Sequence, residues 1–446
     1  MMNMNPASTR LHYMTMNDNQ TLHTSDTYVR ILMFSLILAF YSRIVTAVGV
    51  PGVFNFVHYA FFAIIATFVL LNIQTKAAYP IYMMLFLLSG SIALSAVNSG
   101  AGAINFVLEF VMLSQPFVLL YIMVNREWSE HHISSLRQFF FVFALINAAF
   151  AFVEYFALGL RKDDVKGVFL NMGAGHHVAG AIALSSIIYA LTHIKSIKLK
   201  AGFILVQLLV TAFVDNKQTL VVFMISLALL TVFNFYSVKR MMIYLLTLSG
   251  LVGIVWVMME TVFPQLADWA DYDKSFQGLL AKLQVFDIIH SYHQSFKDGL
   301  FGLGPGHTVG RLAQIMPDYY GFLSQLGATI HPATSYIWEV QQADWITNSQ
   351  TGSSMWSLLF SWMGVYGDLG LLGLIIYITM WFFVYRKLCF NNYSKFLVIT
   401  IVIHGAVFQW MEEPAYMLFV VGLIGLMYLE QMKKKNAANE QPGISP

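Results

Sequence analysis

Lys217 sits in the turn Asp215-Asn216-Lys217-Gln218-Thr219, which joins two apolar runs by only a few residues. An ammonium held there lies at the edge of the hydrocarbon and can meet a lipid phosphate as a point charge. The same place also suits ordinary snorkelling from a helix end. Further along, Asp298-Gly299-Leu300-Phe301-Gly302-Leu303-Gly304-Pro305-Gly306-His307 packs four glycines into eight residues. Such a run lets backbone amides close on an anion or turn sharply. It is no nucleotide loop, because no Gly-Lys-Ser/Thr follows. Arg311 comes just after it and can fork onto a phosphate. Around these stand Asp268, Asp271, Asp273, Asp287, Asp298, Asp318, Glu339 and Asp344, against Lys274, Lys282, Lys297 and Arg311. The segment is net acidic, so an anion must be caught by particular cations and not by a general field. Tyr319, Tyr320, Phe322, Tyr336, Trp338 and Trp345 suit stacking on sugar rings and, equally, an interfacial aromatic belt.

The elements that must position these residues are membrane helices. Of 446 residues, 58% are hydrophobic and 11% charged, about half the charge of a soluble domain. The apolar runs reach the ~20 residues needed to cross ~30 Å of hydrocarbon. Twelve spans are expected, over 28–48, 53–74, 78–97, 103–124, 138–158, 176–194, 201–214, 219–236, 241–260, 366–385, 396–410 and 415–430. Lys76, Arg126, Arg137, Lys195, Lys198, Lys200, Lys239, Arg240, Arg386, Lys387, Lys395 and Lys433 to Lys435 fall in every second loop and the C-terminal tail. Cytoplasmic loops carry the excess of Lys and Arg. The expected fold is therefore an all-α polytopic membrane protein with both termini cytoplasmic and one large periplasmic loop carrying amphipathic helices. Its parts are a polar tail (1–27), nine spans (28–260), the periplasmic segment (261–353), a re-entrant or interfacial helix with three spans (354–430) and a second tail (431–446).

Within the loop, 275–297 reads as an amphipathic helix with Phe276, Leu279, Leu280, Leu283 and Phe286 at the 3.6-residue period. Residues 354–385 would be ~48 Å long as one helix, so Gly364 and Gly367 are expected to break it. Five ionisable groups fall inside spans, where each is costly. Arg43 and Glu109 share a depth near the outer surface and are expected to pair. Glu154, Asp368 and His404 read as buried hydrogen-bonded groups, and His176-His177 as interface packing. The single cysteine, Cys389, excludes an internal disulfide. No metal-ligand spacing and no Gly-x-Ser-x-Gly elbow occurs, and outside the cytoplasmic loops no basic cluster with interleaved aromatics points to nucleic acid. No internal repeat of the inverted-transporter kind is visible.

Over roughly residues 140–430 the chain resembles the bacterial O-antigen polymerase and O-antigen ligase superfamily. The landmarks are Gly167-Val168-Phe169-Leu170-Asn171 before the sixth span, the Asp215–Thr219 turn, and the helix from Lys282 leading into Gly302-Leu303-Gly304-Pro305-Gly306. The last is Gly367-Asp368-Leu369-Gly370-Leu371-Leu372-Gly373-Leu374. The resemblance implies transfer of a glycan from undecaprenyl diphosphate to an acceptor hydroxyl, without a cofactor or metal. Lys217 and Lys282 stand where the family usually places arginines; lysine keeps the charge but loses the fork. A histidine-containing element typical of ligases is missing from Ser353-Ser354-Met355-Trp356-Ser357-Leu358-Leu359, which favours a polymerase.

On that reading Lys217, Lys282, Arg311 and Arg161 would hold the diphosphate. His331, His307, Glu339 and Glu154 are the candidates for the base, and Tyr319, Tyr336, Trp338 and Trp345 would line the glycan. The implied partners are undecaprenyl-diphosphate-linked oligosaccharides, membrane lipid and a chain-length regulator. The implied site lies at the periplasmic face of the inner membrane. The alternatives are a ligase acting on lipid A–core and, from another class, a flippase for lipid-linked oligosaccharides.

Overall fold

The computed structural model describes residues 6–70, 73–126, 128–170, 172–233, 271–347 and 353–440, with a few positions between 242 and 253. Most of the expected span over 241–260, together with Asn171 and Asp268, lies outside the described residues. Among the described residues the chain is helical and carries no strand. The first eight helices are α1 (Pro6–Ala47), α2 (Val57–Leu70), α3 (Tyr79–Ser99), α4 (Ala103–Val124), α5 (Glu130–Phe152), α6 (Gly175–His193), α7 (Ile197–Phe213) and α8 (Lys217–Phe233). After them come α9 (Tyr272–Ser291), α10 (Phe296–Phe301), α11 (Arg311–Leu323), α12 (Pro332–Thr347), α13 (Ser361–Phe383), α14 (Asn392–Val407) and α15 (Pro414–Glu440). Helix runs from Pro6, through most of the segment read as a polar tail.

Seven of these helices contain stretches long and apolar enough to cross a membrane: Thr27–Ala47, Tyr79–Ser99, Ala103–Val124, Glu130–Ala157, Gly175–His193, Ser361–Leu388 and Pro414–Ala437. Gly52–Thr67, Lys217–Val232 and Asn392–Val407 are shorter and apolar. The protein is thus a polytopic helical membrane protein. Its centre is α15 packed on α4, α5 and α6. Both α4 and α15 as far as Leu429 are apolar nearly all round, as helices enclosed by others must be. Tyr121, Phe117, Tyr416 and Phe419 are buried there, and Phe40, Phe140 and Phe143 close on Phe419 from α1 and α5.

The two ends of α6 show how the charges are sorted. Its last residues, Thr192 and His193, border a cavity with Arg137, Lys195, Lys433 and Lys434. Its first residues, His176 and His177, border another with Lys217 and Arg311. The Lys/Arg-rich loops therefore gather at one end. Side-chain caps start the helices there: Ser129 Oγ accepts from His132 N at 3.2 Å, Ser196 Oγ from Leu199 N at 3.5 Å and Asn391 Oδ1 from Ser394 N at 2.8 Å. At that end Glu430 of α15 accepts from Arg137 Nη2 at 2.7 Å and Tyr189 Oη at 3.1 Å, and pairs with His193.

The opposite end is capped by α9 to α12. Val285, Ile289, Leu303, Val309, Ala333, Ile337 and Leu358 to Phe360 form its core. The amphipathic helix expected over 275–297 exists as α9 but ends at Ser291, and its apolar stripe is the exposed face. Phe276, Leu279, Leu280, Leu283 and Phe286 face outward, while Gly278, Lys282, Val285 and Ile289 are buried. Gly278 decides this, because its missing side chain lets the indole of Trp356 lie against the backbone, where a Cβ would stand 2.7 Å from the ring. A second correction concerns 354–363. Residues 354–360 are turn and extended chain, helix starts at Ser361, and the break falls at Gly370 and not at Gly364 or Gly367. Gly370 has φ 67° and ψ −168°, a region open essentially to glycine alone.

Candidate active site

A cavity of about 660 Å³ opens where α1, α6, the α7–α8 turn and α11 meet the segment at 353–354. Three cations line it, Arg43 from α1, Lys217 from the turn and Arg311 from α11, with Asp163, Asp215 and Asp318 on the same wall. Asp215 adopts a left-handed backbone, φ 51°, at the tight corner, and its carboxylate lies 2.8 Å from Lys217 Nζ. Burial pushes the Asp215 carboxyl up, and the Lys217 ammonium pulls it back down. Arg311 forms an ion pair with Glu413. Arg43 is charge-coupled to Glu413 and Arg311, while Glu109 faces Asp368 and Glu412. The pair expected between Arg43 and Glu109 does not form; the acid whose charge acts on Arg43 is Glu413, from the loop before α15, which pairs with Arg311.

The glycine run does form a cradle, but its occupant is the protein's own Asp368. Gly306 N and His307 N donate to the Asp368 carboxylate at 3.1 and 3.2 Å, and Thr308 Oγ1 does so at 2.5 Å. Leu303 N donates to Gly367 O at 2.8 Å and Gly304 N to Asp368 O at 3.1 Å. Gly302 and Gly370 interlock, since a Cβ on Gly370 would stand 2.5 Å from Gly302 N and 2.4 Å from the Leu300 carbonyl. This clamp holds α13 against the loop that leads to Gly310. There the backbone N–H of Arg311 donates to Glu412 Oε2 at 2.5 Å, which supplies the acceptor that the first turn of α11 lacks. Burial pushes the Glu412 carboxyl up, and the Arg311 amide pulls it down.

Of the residues expected at a diphosphate, Lys217 and Arg311 line the cavity. Lys282 and Arg161 are not among its lining residues. The Lys282 side chain is buried, donates to Val407 O at 2.7 Å and Met355 O at 3.1 Å, and lies over the ring of Phe360. Burial pulls its amine down to about 7. It faces inward because α9 turns its larger apolar residues outward. Arg161 donates to the carbonyls of Tyr155 and Leu160 and lies over the Tyr155 ring.

The four residues expected as bases also lie away from the cavity. Glu154 accepts from Lys166 N at 2.8 Å and Gly167 N at 2.7 Å and holds that loop. His307 bonds Leu303 O and Thr329 Oγ1, so both ring nitrogens are used. His331 Nδ1 accepts from Ala333 N at the start of α12. Burial lowers the basicity of both imidazoles. Glu339 is on the exposed face of α12. Among the aromatics, Tyr319 and Trp345 border the cavity, Trp338 packs edge-on to Trp345, and Tyr336 points outward.

Sequence reasoning missed Glu412-Glu413 altogether. Their signal was two adjacent acids, without a basic residue, in a short loop between apolar runs. It also read His176 and His177 only as packing, yet both line the cavity. Here His177 Nδ1 lies 3.2 Å from Asn216 Oδ1, and His177 Nε2 lies 3.1 Å from Ser354 Oγ.

Helix α11 separates this polar space from an apolar groove of about 350 Å³ between α2, α4 and α11. The groove is walled by residues such as Ala63, Val107, Val111, Met112, Met316 and Leu323. Phe56, Ile315 and Tyr319 border both spaces, with the rings of Phe56 and Tyr319 edge to face at 5.4 Å. The arrangement suits an amphiphile with an anionic head beside the cations and an apolar tail in the groove. Among the described residues no group of three or more His, Cys, Asp or Glu side chains is placed to hold a metal ion. Compared with models of known protein families and with curated proteins, the chain matches none.

Proposed function

We propose that this protein is a glycosyltransferase that moves a glycan from a polyprenyl diphosphate to the sugar hydroxyl of another lipid-linked repeat unit. It would act as a polysaccharide polymerase at the periplasmic face of the bacterial inner membrane, with twelve spans and cytoplasmic termini. One observation carries the reading. The cavity holding Arg43, Lys217 and Arg311 shares Phe56, Ile315 and Tyr319 with a groove lined almost wholly by apolar side chains. A soluble sugar nucleotide needs no such groove, whereas a lipid diphosphate needs both halves.

In this reaction the diphosphate gains charge as the glycosidic bond breaks, and fixed cations in a low-dielectric site stabilise that charge. Asp215 and Glu413 keep Lys217 and Arg311 in place while the site is empty and give way to the phosphate oxygens when the donor binds. Arg311 supplies the forked geometry that Lys217 lacks. The family resemblance of the Asp215–Thr219 turn and the 302–306 and 367–374 segments supports the same class.

The test is polymer formation by the purified protein in lipid with undecaprenyl-diphosphate-linked repeat units. Lys217→Ala and Arg311→Ala should each lower turnover by ~10²-fold or more. Unchanged turnover in both ends the diphosphate assignment. Glycan joined to lipid A–core would mark a ligase instead, and movement of repeat units without joining would mark a flippase.

A further inference from the structure

His177 is held in one tautomer by its surroundings. The Asn216 side-chain amide is fixed by two backbone bonds, with Nδ2 donating to His177 O at 2.9 Å and Oδ1 accepting from Thr219 N at 3.1 Å. The oxygen of that amide therefore faces His177 Nδ1, which must carry the ring hydrogen. The lone pair of the neutral imidazole is left on Nε2, directed at the cavity wall where Ser354 Oγ stands. Ser354 has one hydroxyl hydrogen and two acceptors within reach, His177 Nε2 at 3.1 Å and Gln218 Oε1 at 2.9 Å. It can satisfy only one of them. A second hydroxyl entering the cavity would supply the hydrogen that is missing.

Resting on the glycosyl-transfer reading, we infer that His177 is the general base that accepts the proton of the acceptor sugar's hydroxyl, and that Asn216 is the residue that positions it. In the step, the acceptor O–H proton passes to His177 Nε2 and the freed oxygen pair attacks the anomeric carbon of the donor. The bond from that carbon to the diphosphate oxygen breaks, and its electron pair leaves on the diphosphate beside Lys217 and Arg311. The imidazolium then returns its proton to water, and attack from the face opposite the leaving group inverts the anomeric centre. The charged and titratable groups around His177 are His176, whose ring centre is 3.9 Å away, together with Asp163, Lys217 and His404. Trp410 closes the other side edge-on at 5.7 Å.

His177→Gln preserves hydrogen-bonding capacity toward Asn216 and Ser354 but cannot take a proton. In the polymerisation assay its kcat should fall ~10²–10⁴-fold, with less than about a threefold change in donor KM, as expected when only a transition-state interaction is lost. Added imidazole should restore part of the activity of His177→Gly. Asn216→Asp places a carboxylate behind the ring, so the acidic limb of its pH–rate profile should move to higher pH. A His177→Gln enzyme with near wild-type kcat overturns the assignment while leaving the diphosphate site standing. So does a loss matched by an equal rise in donor KM, or His177→Gly that imidazole does not rescue together with an unmoved Asn216→Asp profile. Wild-type protein that joins no repeat units overturns both readings.

Discussion

The backbone N–H of Arg311 donates to Glu412 Oε2 at 2.5 Å, across a hundred residues of chain. The guanidinium of the same residue pairs with Glu413. Two neighbouring acids in the loop before the last helix thus fix both the start of α11 and the direction of its cation. Removing Glu412 by substitution with Ala leaves an uncapped helix end in a buried place, where caps are worth about 0.5–2 kcal/mol. Glu412→Ala should lower both the melting temperature and the proposed transfer activity. Glu412→Gln keeps an acceptor oxygen and, since burial favours the uncharged acid, should retain most of both. Equal losses in the two variants would refute the capping role.

Lys282 gives a pH signature. Its amine is near 10.5 when unhindered and about 7 in the buried site. Between those values the unfolded chain binds one more proton than the folded one, so this residue makes stability rise with pH from about 7 toward 10. A neutral amine still has two N–H groups, enough for the carbonyls of Val407 and Met355. Melting temperatures from pH 7 to 10 should climb more steeply in the wild type than in Lys282→Met. Parallel curves would contradict the shifted amine.

The interlock of Gly302 and Gly370 predicts a packing defect. At Gly370 the backbone region alone costs a side chain about 1–3 kcal/mol, and a Cβ would also meet the Leu300 carbonyl at 2.4 Å. Gly370→Ala should lower the melting temperature and release the loop that carries Arg311, seen as faster hydrogen exchange over 302–311. Gly250→Ala, where a Cβ meets nothing within 4 Å, serves as the control. A Gly370→Ala protein as stable as the control would sink the prediction.

Under the proposed function, the apolar groove predicts a dependence on the donor's tail length. Ala63 is exposed and lines the groove, so Ala63→Trp fills it without disturbing the core. Donor KM should rise at least severalfold for long polyprenyl donors and stay near wild type for donors with a short alkyl tail. An equal effect on both would place the tail elsewhere.

Much of the membrane fold was legible along the chain, because a helix in hydrocarbon must satisfy its own backbone and therefore announces itself as a long apolar run. The helices at 79–99, 103–124 and 175–193 fall where hydropathy puts them. Lys217 and Arg311 were also legible, as cations in a short turn and just beyond a glycine run. The face that α9 presents was not. Its apolar stripe of Phe276, Leu279 and Leu283 gives the helix and its period but not the side the stripe takes, since beside a membrane an apolar face need not turn inward, and the fit of Gly278 to Trp356 settled the rotation.

What the sequence determined by itself is the class of protein and the stock of groups that can grip an anion, since hydropathy and charge are local properties of the chain. Which of those groups meet was decided only by tertiary structure. Arg43, Lys217 and Arg311 are separated by 94 to 268 positions, and no local rule ties them together. Asp368 fills the glycine cradle, Lys282 turns to two carbonyls, and Asn216 aims His177, because buried polar groups must find partners wherever packing brings them.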